Sequence, residues 1–294
     1  MSEILRELSL KDQDQVNILC ETVWQGNDYV PAIFPRWIIN TDSRTLGIFI
    51  DDELAAFGNI EKTEGTHIAW IQGLRVKDTH REKGYATQIT IALTELARDM
   101  RIITLWYATS SRNEASIKVA LKSGFREVTG TGYFRLYNPY PAHSKPSQSI
   151  VPIQVNPERL YELLTINPDL VESDIFPLAW HFDYKTLAGL SRLLREAVNT
   201  VVIDEVGIPQ ALFCMTERER NEEKTTAYTV FATDRSIFVD IMSRMIDEAQ
   251  TKRADRAVFF LGPRATEWAQ DLGYVTDEFL DRRFLLYERK LSES

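Results

Sequence analysis

A strand that runs into a basic, glycine-containing loop, which opens straight into a helix, constrains this chain more than any other feature. Strand-like Gly73-Leu-Arg-Val76 is followed by Arg81-Glu-Lys-Gly84-Tyr-Ala86-Thr87, and then by Ile89, Leu93, Leu96 and Ala97 at core-facing helical spacing. The first turn of such a helix has N–H groups without intrahelical partners, and its dipole is positive at that end, so the loop suits a pyrophosphate. Gly84 allows close backbone approach, Ala86 leaves room beside a phosphate, and Arg81 and Lys83 add positive charge. Taken alone, this could be a solvated turn capping a surface helix. It is not alone: 29 positions after Gly84, Asn113 opens a second helical run that closes at Gly124-Phe125.

At 294 residues the chain exceeds one compact domain, which predicts two domains of about 100–150 residues. Hydrophobic residues at 44% and charged residues at 26% fit an ordinary globular protein rather than a disordered one. The longest apolar runs, such as Leu46–Ile50, are strand-length, so no membrane span is expected, and the first residues lack the pattern of a secretory signal. A cytoplasmic address follows as an expectation. The net charge of −9 and the lack of a long basic tract argue against nucleic acid as a partner. Cys20 and Cys214 read as buried thiols, and no metal-ligand spacing stands out.

The Pro- and Ser-rich run from Asn138 to Ser149 is the best boundary, giving domains at 1–140 and 151–294 with a linker at 141–150. In the first half the pattern predicts a strand Ile4–Leu8 and a helix from a capping box at Ser9 and Asp12 to about Val23. A loop over Trp24–Pro31 and a helix over Ala32–Asn40 come next. A hairpin of Arg44–Ile50 and Glu53–Lys62 turns about Asp51-Asp52, and His67–Val76 is a strand. A helix Tyr85–Met100, a strand Ile102–Ala108, a helix Asn113–Lys122 and two strands, Phe125–Val128 and Tyr133–Tyr137, complete it. The second half repeats the end of this order: strand Thr225–Phe231, helix Arg235–Gln250, strand Arg256–Leu261, helix Ala265–Leu272 and strand Phe284–Glu288. Gly84 and Gly124 stand 40 positions apart, and Asp234 and Gly273 stand 39 apart.

Together, Arg81, Gly84 and Ala86 with Asn113, Ser116, Gly124 and Phe125 resemble the two signature segments of the GNAT N-acetyltransferase superfamily. The resemblance implies an α+β chain of two tandem GNAT (acyl-CoA N-acyltransferase) domains, each a mixed twisted sheet flanked by helices. It implies acetyl-CoA as co-substrate, with the backbone of Leu74, Arg75 and Val76 pairing with pantetheine. The loop Arg81, Glu82, Lys83, Gly84, Tyr85, Ala86 and Thr87 would hold the pyrophosphate, and Asn113 and Ser116 would face the pantetheine arm. Acetyl passes by direct attack of a neutral amine, and the backbone N–H of Leu74 would receive the oxyanion. Such a chain is expected to act as a monomeric internal pseudo-dimer on a small-molecule amine.

One position departs from the family pattern: seven residues after the asparagine, where the superfamily often has a tyrosine acid, this chain has Ala120. Tyr107, Tyr133 or water remain as proton donors. Gln72 stands where a base is expected but cannot take a proton itself, which leaves Glu61 or Asp28 working through water, or His67 or His80. The chain is also similar to the histidine N-acetyltransferase family, most clearly at Trp24–Trp37 and Gly73–Ala86. In that reading Trp24, Asp28, Tyr29 and Arg36 are candidate acceptor contacts. The second half has no loop glycine at Ala232–Ile237 and is expected not to bind CoA. Gln72 and Ala120 also keep open a CoA-binding sensor without turnover.

Overall fold

The computed structural model describes residues 2–147 and 150–291, and the side chains of Trp24 and Gln25 also lie outside the described residues. Two compact units emerge. The first comprises Met1–Thr109, Asn113–Val128 and Leu286–Ser294, and the second comprises Ser110–Arg112 and Thr129–Leu285. The units are therefore not successive lengths of chain: residues 129–137 belong to the second, and the C-terminal residues return to the first.

The first unit contains β1 (Glu3–Glu7), α1 (Gln13–Cys20), α2 (Val30–Ile39), β2 (Ser43–Ile50), β3 (Glu53–Lys62), β4 (Ile68–Val76), α3 (Tyr85–Asp99), β5 (Thr104–Ser110), α4 (Glu114–Lys122) and the start of β6 (Arg126–Tyr137). β1 to β4 form an antiparallel meander, and β5 joins parallel to β4. The β2–β3 turn has Asp51 and Asp52 at φ 46° and 68°, the left-handed pair that a two-residue hairpin needs. Phe57 packs with Val16, Phe34, Trp37 and Leu54 in the core under α1 and α2. Its neighbour Gly58 faces Ile89 and Leu93 of α3, so the alternation of β3 puts these helices on opposite faces. A Cβ on Gly58 would stand 2.8 Å from Ile89, so the glycine sets how closely α3 approaches the sheet. Each buried Phe or Leu here contributes roughly 1.5–3 kcal/mol.

In the second unit lie the rest of β6, β7 (Ile153–Gln154), α5 (Pro157–Ile166), β8 (Ile175–Leu178), β9 (His181–Tyr184), α6 (Leu187–Leu193), β10 (Val198–Ile203), β11 (Pro209–Arg220), β12 (Glu223–Ala232), α7 (Arg235–Thr251), β13 (Arg256–Leu261), α8 (Pro263–Asp271) and the first residues of β14 (Arg283–Lys290). The strand order is β6-β13-β12-β11-β10-β7, with β12 and β13 parallel and the other neighbours antiparallel. Phe238, Ile241 and Met245 of α7 pack against Tyr228 and Phe259. The rest of β14, Leu286–Lys290, lies beside β5 in the first unit, where Trp106 Nε1 donates to Glu288 at 3.2 Å. Cys20 and Cys214 are buried free thiols.

Two expectations need correction. The helix from Ser9 ends at Cys20 rather than Val23: the chain leaves the α-helix there and Val23–Gly26 forms a separate short 3-10 turn, closing at Gly26 with φ 82°. The capping box itself is present, with Ser9 N donating to Asp12 at 2.8 Å. The two strands Phe125–Val128 and Tyr133–Tyr137 are one strand, β6. Gly130 and Gly132 look like turn residues but sit where a Cβ would meet the Phe284 carbonyl at 2.9 Å and Thr266 at 2.2 Å, so they admit close neighbours instead.

Candidate active site

The first unit opens a wedge between its two parallel strands. β4 pairs with β5 only over Ile68–Trp70 and Thr104–Trp106, after which the ladder ends. The break coincides with a bulge: Asn59 pairs with Gln72 and Phe57 with Arg75, leaving Gly73 and Leu74 opposite Gly58. Gly73 has φ 63°, and a Cβ there would stand 2.3 Å from the fully buried Trp37 ring. Only glycine meets both conditions. The Leu74 side chain turns towards Gly58, and the backbone of Leu74–Val76 follows directly on the bulge.

Below the wedge, the chain passes a short turn, Asp78–His80, and reaches α3 through Glu82 at φ 63° and Gly84 at φ 89°. Gly84 is the N-cap, and no side chain caps the helix. The region beside Gly84 is open: nothing lies within 4 Å of where a Cβ would be. Arg81 is held by Asp78 at 2.6 Å, and Asp78 accepts from Thr22 at 3.1 Å, which ties the basic loop to the end of α1. Lys83 and Glu82 are exposed, while Tyr85, Ala86 and Thr87 form the half-buried first turn. This loop could hold an anion with main-chain N–H groups from α3.

On the wedge side of β4, Arg75 makes a bidentate pair with Asp28, Nε to Oδ2 at 2.6 Å and Nη2 to Oδ1 at 2.7 Å. The Asp28 side chain is 1% exposed. Burial opposes ionisation of Asp28, but the hydrogen bonds and charge of Arg75 outweigh it and hold the carboxyl below its ordinary range. Arg75 also donates to the Leu74 carbonyl at 3.0 Å and lies 5.5 Å from the centre of the Tyr29 ring. Burial and the neighbouring Asp28 charge push the Cys20 thiol far up, which removes it as a nucleophile. Asp28 is thus committed to Arg75 and is a poor base.

A second polar group surrounds Glu61. Its carboxylate accepts from Gln72 Nε2 at 2.7 Å and Asn40 Nδ2 at 3.0 Å, and Arg36 lies at 3.6 Å. Glu61 is partly open, with 23% of its side chain exposed, and Arg36 is 65% exposed. The sequence marked Gln72, Glu61 and Arg36 separately; Asn40, at the end of α2, gave no signal. His67 bonds the Arg101 carbonyl and His80 contacts Thr79, so both find partners elsewhere.

On the β5 side, Tyr107 Oη and Ser116 Oγ are 2.6 Å apart, and Ser116 N donates to Asn113 Oδ1, which caps α4. Tyr107 is the first β5 residue past the paired stretch. Burial pushes its hydroxyl up, against the lowering effect of Ser116 and the Arg75 charge, so it stays protonated near neutrality. Ala120 is fully buried, one turn after Ser116. Tyr133 lies in the second unit. Among the sequence-marked acceptor contacts, Asp28 and Tyr29 stand at Arg75 and Arg36 at Glu61, whereas the Trp24 side chain lies outside the described residues.

The second unit has the same strand and helix succession without either feature. β12 and β13 stay paired from Thr225–Val230 to Arg256–Leu261. Asp234, the N-cap of α7, accepts from Ser236 N at 2.8 Å and Ile237 N at 3.0 Å, so this helix carries its own anion.

Residues 12–125 match the family described as Acetyltransferase (GNAT) family. The folded chain is similar to the tandem GNAT protein from the clavulanic acid biosynthesis pathway, at 10% identity and TM-score 0.60 over 100% of both chains. It is also similar to a GCN5-related N-acetyltransferase from Sphaerobacter thermophilus, at 13% identity and TM-score 0.62, covering 98% of this chain and 95% of that one. A GCN5-related N-acetyltransferase from Anabaena variabilis gives 10% identity and TM-score 0.53 over 99% and 73%. No curated protein sequence matches the chain significantly. The fold is the α+β GNAT fold in tandem, and the stretch that matches the acetyltransferase family model, residues 12–125, lies within the first unit except for Ser110–Arg112. No helix among the described residues is long and apolar enough to cross a membrane.

Proposed function

We propose that this chain, whose residues 12–125 match the GNAT acetyltransferase family, transfers acetyl from acetyl-CoA to a small-molecule primary amine. The observation that carries the reading is the coincidence of the β4–β5 wedge with the uncapped, glycine-led start of α3. Pantetheine extends along the backbone of Leu74, Arg75 and Val76, as an added strand would, and the pyrophosphate takes the N–H groups between Arg81 and Thr87. Asn113 and Ser116 border the arm. The Leu74 N–H receives the oxyanion.

Glu61 is the general base, drawing the proton from the acceptor ammonium through water that Gln72 helps to hold. Tyr107 returns a proton to the departing thiolate. Ser116 and Ala120 are four residues apart on one face of α4, so Tyr107, bonded to Ser116, approaches the face where a helical tyrosine is replaced by alanine. Tyr29 and Arg36 border the acceptor, with Asp28 holding Arg75 behind them. Arg36 suits an acceptor that also carries a carboxylate, and a free amino acid such as histidine is the first to try. The second unit binds no CoA, and the chain works as a cytoplasmic monomer.

The test is free-thiol release from acetyl-CoA with a panel of amino acids, polyamines, aminoglycosides and peptides. Turnover with one class, reduced roughly 100-fold or more in kcat by Glu61→Gln, is the expected result. CoA binding without acceleration by any acceptor would replace the enzyme by a CoA-binding sensor.

A further inference from the structure

We infer that Arg135 and Arg282, gathered around Tyr133 in the second unit, form with the nearby Arg112 a binding site for a small oxyanion, a carboxylate or a phosphate. Tyr133 and Arg135 are two residues apart on β6 and share a face of that strand. Arg282 follows the turn Asp277–Phe279, and its carbonyl accepts from Tyr133 N at 2.9 Å. The guanidinium carbons of Arg135 and Arg282 lie 5.3 and 4.9 Å from the centre of the Tyr133 ring. Arg135 Nε also donates to the Tyr133 hydroxyl. Arg112 joins them by donating to the Leu280 carbonyl at 3.2 Å, beside a backbone bond from Ser111 N to Arg283 O at 2.8 Å.

Three like charges in one place need a reason in a chain of net charge −9. Three other partly buried arginines of this unit have carboxylates: Arg192 pairs with Asp183, Arg244 with Asp240 and Arg256 with Glu223. Among the described residues, no carboxylate lies within ion-pair distance of Arg112, Arg135 or Arg282, and the nearby Glu278 is exposed. Arg282 Nε is buried and has no hydrogen-bond partner. The aromatic faces of Tyr133 and Phe279 stabilise its charge but accept no N–H bond in the plane of the guanidinium. Burial, with repulsion from Arg135 and Arg112, pulls the Arg282 pKa down. An oxyanion would relieve the repulsion and supply the missing acceptors, which the planar forks of arginine suit.

The site is independent of the acetyl-transfer reading, and binding to the full chain reads it directly. Titration with malonate and, separately, with inorganic phosphate, against potassium chloride at matched ionic strength, should raise the melting temperature saturably. The expected Kd is at or below about 1 mM for at least one of the two, and the arm that binds more tightly identifies the anion class. Arg282→Met and Arg135→Met should each weaken binding at least about tenfold. The ligand-free Arg282→Met chain should melt no lower than the parent, because a repulsive neighbour is gone. No saturable response to either anion would overturn the site, as would undiminished binding by both variants.

Discussion

The two units place a helix at the same point of the same strand succession, yet its first turn is left open in one and filled in the other. At α3 the N-cap is Gly84, in the left-handed region and without a capping side chain. At α7 the N-cap is Asp234, whose carboxylate accepts from the N–H groups of Ser236 and Ile237. The strands differ in the same sense: β4 and β5 part after Trp70, while β12 and β13 stay paired to Val230 and Leu261. An unfilled helix N-terminus and a parted pair of parallel strands therefore occur together in the first unit, and neither occurs in the second. A helix N-terminus becomes a ligand site only when the protein leaves its N–H groups unsatisfied.

The comparison can be broken at its strongest point by Gly84→Asp, which puts a carboxylate where the first unit would receive pyrophosphate. Acetyl-CoA affinity should fall at least about 100-fold, close to 3 kcal/mol, while the circular dichroism spectrum is retained. Undiminished affinity by calorimetry would show that α3 does not hold the anion.

Next comes the wedge itself. Gly73→Val adds a Cβ against Trp37 and forces a branched residue to φ 63°, so stability should drop by roughly 2–3 kcal/mol with loss of the bulge. Denaturant unfolding reads the stability, and thiol release reads the wedge. If the variant keeps parental turnover, the bulge does not define the cofactor edge.

The smallest effect sharpens the other side. Asp234→Ala removes the cap of α7 and should cost about 1 kcal/mol of stability. It should not create a second CoA site, because the β12–β13 ladder remains closed. Two equivalents of bound CoA by calorimetry would show that the cap alone, and not the strand pairing, silences the second unit.

Much of this was legible in the sequence where a local rule decides it. Gly84, Asn113 and Gly124 mark helix ends, Asp51-Asp52 marks a hairpin, and the periodicity of residues 85–100 marks an amphipathic helix; each depends on neighbours a few positions away. The reading failed at Gly130 and Gly132, which serve close packing, because a glycine kept for a turn and one kept for contact look alike until the contact is known. The candidate base shows the same limit. Glu61 and Gln72 were both marked, but their 2.7 Å bond, with Asn40 and Arg36 around it, exists only because β3, β4 and α2 meet there.

By itself, then, the sequence determined the strand-loop-helix at residues 73–87, the second signature helix and the repeat of this order after residue 225, since these follow from spacing, dihedral preference and periodicity. Tertiary structure alone decided the rest. It ended the β4–β5 ladder at Trp70, set Gly73 against Trp37, committed Asp28 to Arg75 rather than to an acceptor, and returned the C-terminal strand residues to the first unit. Those outcomes depend on contacts between residues far apart in the chain, where packing and the pairing of buried charge decide which partner is met.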